Sequence, residues 1–210
     1  LNLSEMRTNV RRDLRDEDSE NYRWTDDELE RHIARALFEF SEACPLEQKA
    51  QLSTTLGSMD IDISSLTDRI MIKAVEYPLD CWPRSYQRYS LWEDTLTFLG
   101  DVVPAGDDCI IYYGKLHTLD AETSTIPAKH EDLVALGAAG YALVSWAAYA
   151  INQVNLGGTS TPGLFSAAGQ DKLRQFRQEL KRLGRLGKLR IARLYTPATS
   201  IVSMSSDPGS

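Results

Sequence analysis

The sequence predicts an α+β protein: mainly an α-helical bundle, with an inserted small antiparallel β domain and an extended C-terminal arm. Three observations carry this. Apolar residues recur every three or four positions near both ends of the chain; they recur about every second position from Leu46 to Tyr113; and an uninterrupted apolar run fills Leu133–Ile151. Helices, then strands, then helices imply that the helical parts join and the sheet is an insertion between them. Residues 1–45 are read as N-terminal helices of the bundle and 46–127 as the β-rich insertion. Residues 128–194 give a central buried helix and a basic amphipathic helix, and 195–210 the arm.

In the first helix Leu3, Met6, Val10 and Leu14 make a narrow apolar stripe. Arg7, Arg11, Arg12 and Arg15 share the remaining surface with acids, and Asp16–Asn21 ends the helix in a polar loop. Thr25 then caps a second helix. Glu28 completes its capping box, and Asp26 and Asp27 suit the positive end of the helix dipole. Leu29, Ile33, Ala36, Leu37 and Phe40 form its apolar face, and Pro45 ends it.

From Ala50 to Leu56 apolar and polar residues alternate, as in a strand, although a short helix fits the same stretch. Arg69–Tyr77 is a strand stopped by Pro78. Tyr86–Trp92 and Thr95–Leu99 flank Glu93-Asp94 as a hairpin. Pro104–Asp107 is a turn into Cys109–Tyr113, a strand apolar on both faces. These amount to a small antiparallel sheet or sandwich of roughly four to six strands. A long loop, Lys115–Pro127, leads onward.

The helix over about His130–Val154 has no polar face, because Ser145 is the only clearly polar side chain between Leu133 and Ile151. Such a helix is buried all round, in a core, a membrane or an interface. The run is long enough to span a bilayer, but it is rich in Ala and Gly, and its flanks lack a Lys/Arg asymmetry; no membrane partner is expected. Its small residues leave room for close backbone approach, and large ones alternate with them. One chain of this size is expected to struggle to cover both sides. The expectation is a homo-oligomer whose subunits meet at Gly137, Gly140, Tyr141, Val144, Ala147 and Ala148.

After a loop over Asn155–Gly163, a last helix runs from about Ala167 to Lys188. Leu173, Phe176, Leu180 and Leu183 point one way. Arg174, Arg177, Lys181, Arg185 and Lys188 point the other, as a face for DNA or an acidic partner, and Gly184 and Gly187 weaken the last turns. From Tyr195 onward no core-forming pattern remains. Isolated Ile201, Val202 and Met204 sit among Ser, Thr, Pro and Gly, a composition that orders only when docked on a neighbour.

The 210 residues allow one or two domains with a sizeable core. A net charge of -7 argues against a general nucleic-acid coat and leaves room for a local basic patch. Cys44, Cys81 and Cys109 are odd in number and widely spaced, so they read as free, small core thiols in a reducing compartment. The charged start lacks the apolar stretch of a secretory signal. His117, Asp120, His130, Glu131 and Asp132 have no metal-binding spacing, and read as loop hydrogen bonding and helix N-terminal charge. Gly157–Gly163 lacks the Lys-Ser/Thr of a phosphate loop, and no GxSxG or GxGxxG occurs. No enzyme activity, metal or cofactor is expected.

Three stretches resemble the head-to-tail adaptor (connector) proteins of tailed bacteriophages: Tyr22–Leu29 with the helix it opens, ending at Cys44-Pro45; the β segment Val75–Pro78, Tyr86–Tyr89, Trp92, Thr95–Leu99 and Tyr112–Leu119; and Ser124–Pro127 followed by Glu131–Ala142 and the amphipathic helix beyond. The resemblance covers most of the chain and rests on architecture-like patterns, with no catalytic signature. It implies a virion structural protein at the head-tail interface, assembled in the host cytoplasm, that forms a ring, often twelve-fold, around the DNA channel. Its implied partners are the portal, tail or nozzle proteins and passing DNA, with roles in genome packaging and ejection. It also implies that the arm carrying Tyr195, Ile201, Val202 and Met204 docks on the portal. A tail-completion or stopper ring shares the acidity and oligomerisation, and a metal hydrolase would need a site assembled around His117 and His130.

Overall fold

Helix α1 (Leu3–Leu14) opens with a capping box: the Asn2 side chain accepts from the Glu5 amide, and the Glu5 carboxylate accepts from the Asn2 amide, both at 2.9 Å. The computed structural model describes residues 1–150 and 161–194. The capping box read at Thr25 opens α2 (Asp26–Ala43), with the Thr25 amide donating to Glu28 at 2.8 Å. Strands β1 (Leu46–Ser53), β2 (Asp60–Asp62), β3 (Arg69–Glu76), β4 (Tyr89–Trp92), β5 (Thr95–Phe98) and β6 (Asp108–Lys115) follow. A short 3-10 turn at Ala128–His130 leads into α3 (Glu131–Ala150), and α4 (Thr161–Leu194) comes last. The chain is a mixed α+β protein, not a pure helical bundle.

The strands form two antiparallel three-stranded sheets, ordered β1-β6-β3 and β2-β5-β4. In the first, β1 and β6 pair without interruption from Leu46 opposite Lys115 to Ser53 opposite Asp108. In the second, β4 and β5 make the hairpin expected at Glu93-Asp94, with Glu93 at a φ of 52° in the turn. Ile61, Ile63, Leu66, Val75, Leu96, Phe98, Cys109 and Ile111 close a core of their own. Burial pushes the Cys109 thiol up to about 11. Cys81 is exposed and Cys44 only partly buried, so of the three cysteines Cys109 alone is a core residue.

A second core joins all four helices. Met6, Val10, Leu29, Ile33, Ala36, Phe40, Val134, Ala138, Ala142, Leu173 and Phe176 are buried together in it. Helix α3 lies at its centre, touched by α1, α2 and α4. Much of the covering expected from a second subunit comes from the chain itself, while Ser145, Ala148 and Tyr149 stay exposed, and the reason for the close packing lies in the small residues. A β-carbon on Gly137 would come within 2.9 Å of the Phe176 ring, and one on Gly140 within 2.9 Å of Leu173 Cγ. In return, Gly169 of α4 brings its backbone so close to α3 that a β-carbon there would lie 2.8 Å from Val144. Helix α3 is long and apolar enough to cross a membrane, and most of its apolar stretch is buried inside the chain.

The structure differs from the sequence expectation at two further points. Helix α4 has 34 residues and begins at Thr161, so it takes in the last three residues of the expected loop. Pro162 stands in its first turn, where a missing amide hydrogen costs nothing. Arg11 is not on the surface. It is 6% exposed and donates to Asp16 at 2.7 Å, to the Trp24 carbonyl at 3.0 Å and to Asp26 at 2.7 Å. The same Asp16 accepts from the Arg23 amide at 2.8 Å, which fixes the loop between α1 and α2.

Candidate functional site

Helices α2 and α4 pass side by side and leave an open groove of about 800 Å³ between them. Capping and periodicity decide what faces it. Helix α2 buries Ile33, Ala36 and Phe40, which turns Arg35, Phe38, Glu39 and Glu42 towards the seam with α4. Helix α4 buries Leu173, Phe176 and Leu180, which puts Arg177, Lys181, Arg185 and Lys188 along the opposite wall. Phe38 is 51% exposed and, with Leu180 and Ala43, supplies apolar surface between the charged walls.

One end of the groove is fixed by a polar cluster. The Tyr141 hydroxyl, reaching out from α3, donates to Glu39 and accepts from Arg177 at 3.3 Å. The Arg35 guanidinium lies over the Tyr141 ring, 4.1 Å from its centre, and its Nε is 3.8 Å from Glu39. Burial raises the Tyr141 pKa, and the bond to Glu39 adds to it. The bond to Tyr141 raises that of Arg177. Tyr141 therefore stays neutral and Arg177 charged at any physiological pH. Among the described residues, Lys181, Arg185 and Lys188 form no ion pair, so their charges face outward.

Of the five basic residues read from the sequence, Arg177, Lys181, Arg185 and Lys188 line this groove together. Arg174 sits one turn earlier and pairs with Asp171. The residues on α2 were not in that reading, because only the tertiary pairing of α2 with α4 brings them there. Of the residues read as a subunit interface, Gly137, Gly140, Tyr141 and Ala147 are buried within the chain, Val144 is partly buried and Ala148 is exposed. Tyr195, Ile201, Val202 and Met204 lie outside the described residues.

The histidine region makes hydrogen bonds within the chain. The two ring nitrogens of His117 lie 3.0 Å from the Cys44 carbonyl and 2.9 Å from the Thr125 carbonyl, and its backbone amide donates to the Ser41 hydroxyl at 3.0 Å. Asp120 accepts from the amides of Glu122 and Thr123 in its own turn, which lowers its pKa. Among the described residues no three His, Cys, Asp or Glu side chains are grouped to hold a metal ion. No family model and no curated protein matches the sequence.

Proposed function

We propose that the chain is a structural protein of the phage head-to-tail junction, an adaptor that assembles into a ring, docks on the portal and extends the DNA channel toward the tail. In this reading α1–α4 are the bundle of the ring body, the β unit is an insertion on its periphery, and 195–210 are the portal-docking arm. The observation that supports it best is the groove: a stripe of Arg177, Lys181, Arg185 and Lys188, with exposed Phe38 beside it, on a chain whose net charge is -7. A charged, partly apolar seam of this kind suits docking of a macromolecule and offers no nucleophile–base pair for catalysis. The resemblance supplies the ring and the portal.

Electron microscopy of the purified chain, alone and mixed with portal, tests the reading. The expected outcome is closed rings and co-sedimentation with portal. Co-sedimentation with tails and not with portal would reassign the protein as a tail-completion or stopper ring. A subunit that stays monomeric and binds neither would remove the junction role.

A further inference from the structure

The groove is open, and the same molecule carries a surface that fits it. We propose that, in the assembled ring, the Arg15–Arg23 loop of one copy seats in the α2/α4 groove of the next. This rests on the ring reading and says where the copies meet.

The first support is charge complementarity. The groove gathers Arg35, Arg177, Lys181, Arg185 and Lys188 against Glu39 and Glu42. The loop presents Glu17, Asp18 and Glu20 to solvent, with Arg15 exposed beside them and Tyr22 45% exposed. Glu39 and Glu42 would repel a phosphate backbone, which also has nothing apolar to lay on Phe38. The loop answers all three features: acids for the α4 wall, Arg15 for the α2 wall and an aromatic ring for Phe38.

The second support is that the loop is already shaped. Asp16 ties Arg11 and the Arg23 amide, Asp18 accepts from the Asn21 side chain at 3.1 Å, and the Arg11 guanidinium packs 3.5 Å from the centre of the Tyr22 ring. Docking a fixed loop costs less ordering entropy than docking a free one. The third support is position. The loop leads into the first turn of α2, and the groove lies along the second half of the same helix, which is about 27 Å long. Two complementary surfaces that do not overlap give a head-to-tail contact, the kind that closes into rings. Gly137 and Gly140 of α3 are taken up by Phe176 and Leu173 of α4 and are not free to meet another copy.

Charge exchange tests this by sedimentation velocity, with circular dichroism to confirm folding. One variant carries Lys181→Glu, Arg185→Glu and Lys188→Glu; Arg177 is left in place because it holds Tyr141. The other carries Glu17→Lys and Glu20→Lys; Asp18 is left in place because it accepts from the Asn21 side chain and the Glu20 amide and so holds the loop. Each alone should associate at least tenfold more weakly than the wild type, and an equal mixture of the two should assemble again, since each then offers what the other's surface requires. A mixture that stays dissociated, or a groove variant that assembles like the wild type, overturns the proposal while wild-type rings keep the junction reading intact. A groove variant that forms normal rings but no longer binds a short DNA duplex assigns the groove to phosphate instead. A wild type that never assembles removes ring and seat together.

Discussion

A β-carbon at Gly140 would sit 2.9 Å from Leu173 Cγ, whereas one at Gly187 would meet nothing within 4 Å. The two glycines stand in helices, yet substitution should act with opposite sign. Gly140→Ala forces α3 and α4 apart and should destabilise the subunit by about 1–3 kcal/mol. Gly187→Ala removes backbone freedom from the unfolded chain and should stabilise by about 0.5–1 kcal/mol. Urea unfolding at concentrations where the subunit is monomeric measures both. A loss at Gly140 under those conditions places its role inside the chain. His32 gives a third residue-scale expectation. Burial, then the neighbouring Arg31, holds its pKa below the ordinary 6.5, so the fold favours the neutral ring. The folded state thus binds fewer protons than the unfolded one just below that value. Stability should be complete above pH 6.5 and fall as pH drops below it. His130, lowered by burial and Lys129, acts in the same direction. His32→Asn should flatten part of the slope of urea midpoint against pH between 7.5 and 5.5, and an unchanged slope would assign it all to other groups.

At the scale of elements, the capping box of α2 was legible because its whole mechanism lies within Thr25–Glu28. Thr25→Ala should cost about 1 kcal/mol, read from the same urea midpoints. The apolar stripes of α1, α2 and α4 were legible for the same reason: period alone sets which side is buried. The α4 start was not, since Thr161-Pro162-Gly163 has the composition of a loop and becomes a first turn only when the residues after it dock on α3. Strand β2 escaped notice because three residues, Asp60–Asp62, are too few to show a period. Arg11 was placed on the surface because its partner Asp16 reaches it only after the chain turns at Arg15, whose φ is 56°. The groove was half legible. Its α4 wall follows from helical spacing, while Arg35, Phe38, Glu39 and Glu42 join it through a helix pairing that no local pattern states.

At the scale of the whole molecule, the helical core and the β core are separate clusters, and among the described residues the helical core runs to Leu180, with Leu183 packed against it. The segment after α4 has a composition unlike that of either core. That segment, Tyr195–Ser210, has Ile201, Val202 and Met204 as its scattered apolar residues and could not bury enough surface alone to offset its ordering entropy. An extended segment docked on a partner gains main-chain hydrogen bonds while alternate side chains fill pockets. Deleting residues from Thr196 should therefore leave a soluble subunit with unchanged helical content by circular dichroism. The truncated subunit should still assemble through the groove, which keeps Arg177, Lys181, Arg185 and Lys188. It should lose binding to the portal in co-sedimentation. Undiminished portal binding by the truncated chain would show that the arm is not the docking element, and loss of assembly together with binding would place the arm between subunits instead.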